Sequence, residues 1–103
     1  MTGFAERVAE DRRGAVLRIL TAVEGHALNE DLLVRELARQ RFGLTTQDDM
    51  RGILAWLERQ ALVTVQRLEG DVPGVPVLWA ASATRAGRDV ARGATWPGVA
   101  APL

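Results

Sequence analysis

The sequence predicts a mainly α fold carrying a small β-hairpin, and three observations carry that expectation. Apolar residues recur at helical spacing in three successive segments before Gln60. Past Gln60 the pattern changes to a β-branched run, Val63-Thr64-Val65. A turn cluster, Glu69-Gly70-Asp71-Val72-Pro73-Gly74, then separates that run from a second apolar one.

The first helix is expected from about Phe4 to Glu24. Val16, Ile19, Leu20 and Val23 repeat on one face, and Phe4, Val8 and Ala15 extend the stripe backwards. Asp11 and Arg12 interrupt it, which suggests a separate front turn or arm, and Gly25 supplies a left-handed cap. Asn29 offers an N-cap to a second helix, with Glu30 and Asp31 favoured by the helix dipole in its first turn. Leu32, Leu33, Leu37 and Ala38 would form its buried face, and Gly43 its end. The third helix starts in Thr45-Thr46-Gln47-Asp48-Asp49, where either threonine can cap and an aspartate follows three residues on. Met50, Ile53, Leu54 and Leu57 are its inward stripe.

Leu62–Leu68 and Val75–Ala81 are the expected strands, Thr84–Arg92 a short last helix stopped by Gly93, and 94–103 an irregular strap. Three helices followed by a hairpin and a short helix is the element string of a winged helix-turn-helix. The whole chain, 1–103, is expected to be one domain with its core at about 12–93.

Composition limits the chemistry. The 103 residues hold no cysteine, which excludes disulfides, thiolate catalysis and cysteine-bound zinc. One histidine, His26, and one serine, Ser82, make neither a metal cluster nor a nucleophile–base pair, so no enzyme, cofactor or small-molecule ligand is expected. His26 reads as a solvent-facing loop residue. No apolar stretch approaches a membrane span, and 1–13 lacks a signal-peptide core, so a cytoplasmic protein is expected. Acidic and basic side chains balance at 13 each, every base an arginine, so the large basic excess of a non-specific nucleic-acid binder is missing.

The stretch Leu54-Ala55-Trp56-Leu57-Glu58-Arg59-Gln60-Ala61-Leu62-Val63 resembles the end of a winged-helix recognition helix. Such helices leave through a leucine-glutamate-x-x-glycine-leucine-valine exit, and Ala61 stands where the glycine is usual. Thr84–Gly93 followed by Trp96-Pro97-Gly98-Val99 resembles the C-terminal signature of small ArsR-like proteins of Mu-like prophages, a likeness running from about Arg12 to the end. The metal-sensing residues of arsenic-type repressors are not present.

The resemblance implies a phage-type transcriptional regulator that binds double-stranded DNA as a homodimer. The alternative is a protein–protein adaptor of a phage operon or particle, with no DNA binding. In helix-turn-helix proteins the start of the recognition helix reaches base edges. Thr46, Gln47 and Arg51 would then face bases, and Arg67 on the wing strand a phosphate. Against this, Asp48 and Asp49 bring negative charge to the same end, and Glu69 and Asp71 to the wing. Arg35, Arg39 and Arg41, with Arg85, Arg88 and Arg92, are the other basic concentrations, near Glu36 and Asp89. Trp56 and Trp79 are expected in the core, Trp56 between the third helix and the hairpin. Phe4, Val8 and Trp96, on terminal elements, are the expected dimer contacts.

Overall fold

The computed structural model describes residues 3–23, 26–40, 42–43 and 45–102. It contains α1 (Phe4–Ala22), β1 (Leu28–Asn29), α2 (Glu30–Arg39), α3 (Gln47–Arg59), β2 (Val63–Glu69), β3 (Pro76–Ala83) and α4 (Arg85–Ala91). The mainly helical architecture with its β2–β3 hairpin is the one expected: a winged helix-turn-helix. One strand is additional. β1 pairs antiparallel with β3, Leu28 opposite Ala81 and Asn29 opposite Ala80, giving a three-stranded sheet of order β1-β3-β2.

α1 is one continuous helix: Asp11 faces water, and half-buried Arg12 donates to the Phe42 carbonyl without breaking it. Its buried side is Ala15, Val16, Leu17, Ile19 and Leu20, so the inward stripe begins later than expected and Phe4 is 75% exposed. The cap expected at Gly25 lies outside the described residues. In α2 the Asn29 side chain accepts from the Leu32 amide, as expected. The buried stripe is different: Glu30, Leu33 and Leu37, spaced three and four apart, face inward. Leu32 and Ala38 are exposed because the helix is rotated to turn Glu30 under the sheet. α2 ends at Arg39, ahead of the expected Gly43.

α3 opens with a reciprocal capping box. Thr46 Oγ1 accepts from the Asp49 amide at 3.0 Å, and Asp49 Oδ2 accepts from the Thr46 amide at 3.1 Å. Met50, Leu54 and Leu57 are fully buried against α1 and α2, with Ile53 partly so. Trp56 departs from expectation. It lies on the α1 side of α3, with the Arg13 guanidinium 4.1 Å from its ring centroid and Gly98 of the tail against its edge. The tail is held in place by polar contacts: Trp96 Nε1 donates to Gln60, Arg13 donates to the Gly98 carbonyl, and the Ala100 amide donates to Glu10 of α1.

The exit from α3 explains the resemblance noted at Ala61. The Leu62 amide bonds to the Leu57 carbonyl and the Ala61 amide to that of Glu58, a Schellman closure whose αL position is Ala61 at φ 59°. Leu57 and Leu62 are both fully buried, the apolar contact that accompanies this motif. Leu62 then lies under α4 so closely that a Cβ on Gly87 would stand 2.0 Å from its carbonyl oxygen. Two substitutions of similar size should therefore act in opposite directions in urea denaturation. Ala61→Gly relieves left-handed strain and is expected to raise stability by about 1 kcal/mol. Gly87→Ala must push α4 off β2 and is expected to cost about 3 kcal/mol, as in an overpacked core.

Candidate nucleic-acid interface

The surface expected to read DNA comprises the start of α3 and the wing. Thr46 and Gln47 are exposed there, but Thr46 spends its hydroxyl on the helix cap. Asp49 spends its carboxylate on the same box, and the donated Thr46 backbone and side-chain hydrogen bonds hold its carboxyl below the usual range. Gln47 is the one of the four expected contacts with no intramolecular side-chain bond among the described residues.

Both expected arginines are engaged by carboxylates. Arg51 grips Glu30 in a bidentate pair, Nε at 2.8 Å and Nη2 at 3.1 Å. Glu30 is completely buried, and its second oxygen also accepts the Trp79 backbone N–H of β3. Arg67 makes the matching fork to Glu58 of α3, at 3.0 and 2.8 Å. The Trp79 ring lies between these pairs: the Arg67 guanidinium is 4.2 Å and that of Arg51 5.2 Å from its centroid. Both arginines expected to meet DNA are thus paired with carboxylates within the domain.

The wing itself is apolar. Leu68, Val72, Val75 and Val77 are 47%, 61%, 52% and 56% exposed, while Glu69 and Asp71 are the charged residues beside them. Sequence reasoning missed this set, although the valines flanking Gly70-Asp71 and Pro73-Gly74 are visible there. Of the expected dimer contacts, Phe4 is exposed, Val8 half-buried, and Trp96 packs half-buried against its own core. His26 is exposed. Among the described residues no three metal-ligating side chains cluster, and no helix is long and apolar enough to cross a membrane.

A capped α3 with its outward face uncovered, followed by a projecting hairpin, defines a winged-helix domain in which Arg51 and Arg67 are internally paired. The chain is 32% identical over 84 residues to a protein of Haemophilus influenzae (strain ATCC 51907 / DSM 11121 / KW20 / Rd) described as "Uncharacterized protein", with 80% of each chain covered. It belongs to the same family as that protein. No family model matches the chain, and no solved structure matches it.

The two arginine pairs should differ in energetic weight. Glu30→Ala strands Arg51 and the Trp79 N–H. It is expected to cost about 3 kcal/mol in chemical denaturation, the low end for a broken buried pair because Arg51 keeps a quarter of its surface in water. Glu58→Ala breaks a pair exposed by more than a third on both sides and should cost less than about 1 kcal/mol.

The pH dependence follows from Asp49 and Glu58, whose carboxyls sit below their ordinary values of 3.8 and 4.5 through the Thr46 and Arg67 hydrogen bonds. As pH falls, the unfolded chain takes up these protons first, so their stabilisation is present above those values and lost beneath them. Thermal melts should fall below about pH 4.5, and the double variant Asp49→Asn/Glu58→Gln should flatten that decline.

Proposed function

We propose that this domain is a winged-helix adaptor that binds protein through its wing and has no catalytic role. The observation that carries this reading is the exchange of properties between its two presentation surfaces. Arg51 of α3 and Arg67 of β2 are consumed by Glu30 and Glu58, whereas the wing tip exposes Leu68, Val72, Val75 and Val77 to water. An apolar projection of this kind marks an interaction site on a small soluble domain. The resemblance to the small ArsR-like proteins of Mu-like prophages supports a place in a phage operon or particle.

The second reading is DNA binding as a phage-type regulator. It is favoured by the uncovered face of α3, where Gln47 and Arg59 are exposed and a Cβ on Gly52 would meet nothing within 4 Å, leaving room for a groove wall. A homodimer through Phe4 and Val8 would accompany that reading.

A gel-shift titration with duplex DNA over a range of salt separates them. The adaptor reading predicts no retardation at low ionic strength, where phosphate contacts are strongest. Retardation that weakens steeply with salt, and is reduced by Arg59→Ala, would replace the adaptor with the regulator.

A further inference from the structure

The molecule carries both halves of one contact. Its wing tip is an apolar knob: Val72, Pro73 and Val75 all lie exposed in the turn joining β2 and β3, flanked by Glu69 and Asp71. Neither acid has an ion-pair partner among the described residues. Between α1 and α2 lies the complementary concavity, a mostly apolar cleft of about 560 Å³. Ile19, Ala22, Leu28 and Leu32 line it, with Arg18 and Glu36 among its walls. Leu32 is 44% exposed there although it belongs to a helix whose other leucines are fully buried.

Charge completes the match. Glu36 is already met by Arg39 at 3.8 Å and by the Gln40 amide at 3.4 Å, whereas Arg18 has no acidic partner among the described residues. Among the described residues the cleft therefore presents apolar walls beside a cation with no ion-pair partner, and the wing presents apolar side chains beside acids with none. The tip does not fill the cleft of its own chain, since the wing valines remain more than half exposed.

We infer that the wing of one chain seats in the α1–α2 cleft of a second copy, Val72 and Val75 against Leu32 and Ile19, with Asp71 turned toward Arg18. The contact is head-to-tail, because the two surfaces are different patches of one molecule. Repetition then yields a ring where the rotation closes and a filament where it does not. This inference rests on the reading of the wing as a protein-binding surface, and it names the partner as the chain itself.

Sedimentation velocity of the full chain tests it, at concentrations up to about 500 µM because interfaces below about 1,000 Å² are weak. The expected result is association that grows with concentration. Val72→Asp/Val75→Asp removes the knob and Leu32→Glu spoils the cleft, all at exposed positions that the fold tolerates. Each variant alone should sediment as a monomer, and an equimolar mixture should form a one-to-one dimer, the intact wing of one in the intact cleft of the other. Asp71→Arg and Arg18→Glu should each weaken association, and their combination in one chain should restore it.

A wild-type chain that stays monomeric throughout, or an assembly that survives both surface variants, overturns the inference. So does loss of association in the variants with no recovery on mixing. A photo-crosslinker at position 75, used in cells of the source organism, separates failure of the partner from failure of the surface. Crosslinks to a different protein alone overturn self-docking and leave the wing as an interface. No crosslink at all overturns both.

Discussion

Glu30 is a fully buried carboxylate, and the assembly of the domain depends on how its charge is met. Taking such a group out of water costs several kcal/mol unless a partner and further hydrogen bonds replace the lost hydration. Here the fork of Arg51 supplies the charge and the Trp79 amide a further donor. The location explains why a carboxylate is used. β1 pairs only with Ala81 and Ala80, and the next residue in register would be Glu30 opposite Trp79. The chain has already turned into α2 at that point, so the backbone ladder cannot continue. The Glu30 side chain takes the place of the missing carbonyl and closes the β3 edge, which would otherwise leave a backbone donor unmet. A single acidic side chain thereby ties α2, α3 and the root of the wing together.

Arg67 continues the same construction outward. It stands opposite Trp79 in the β2–β3 register, stacks on that ring, and reaches back to Glu58 on α3. The run Glu30, Arg51, Trp79, Arg67, Glu58 crosses four elements and fixes the wing's angle relative to α3. Exposed pairs are weak singly, but a forked guanidinium held on an aromatic face is more strongly oriented than a solvated one. Orientation rather than stability is the larger consequence, since the fork adds a second tie between hairpin and α3 to the closure at Ala61.

The helices and the hairpin were legible because their signals are local. Stripes at three- and four-residue spacing, the Thr46–Asp49 capping box and the turn cluster of 69–74 all declare themselves within a few residues. β1 was not legible: two residues carry no periodicity, and what makes them a strand is a partner some fifty positions away. Glu30 was misread for a related reason. An acid in the first turn suits the helix dipole whether it faces water or the core, and only the rotation of α2 decides. Arg51, expected to face outward on α3, is instead three-quarters covered, held by a partner 21 residues distant and invisible to spacing rules. Trp56 sits at the border of the α3 stripe, so periodicity left open which neighbour it would meet. Gly98, whose φ of 87° and missing Cβ admit the indole edge, settles that in favour of the tail.

Zero net charge acquires a meaning from these contacts that composition alone does not give it. Thirteen acids and thirteen bases can be spread evenly or arranged in opposing patches, and the two arrangements bind different things. In this domain Arg51 of α3 and Arg67 of β2 are matched by carboxylates at hydrogen-bond distance, which weakens their field where a phosphate would need it. The acids at the wing and Arg18 at the α1–α2 cleft have no ion-pair partner among the described residues, and neither does Arg59 on α3. A winged helix constrains which surfaces project but not what chemistry they carry. The same frame can therefore direct α3 toward a groove or the wing toward a protein. Here the ion pairs that hold the wing in place are made from Arg51 and Arg67, two side chains that a DNA reader would need free.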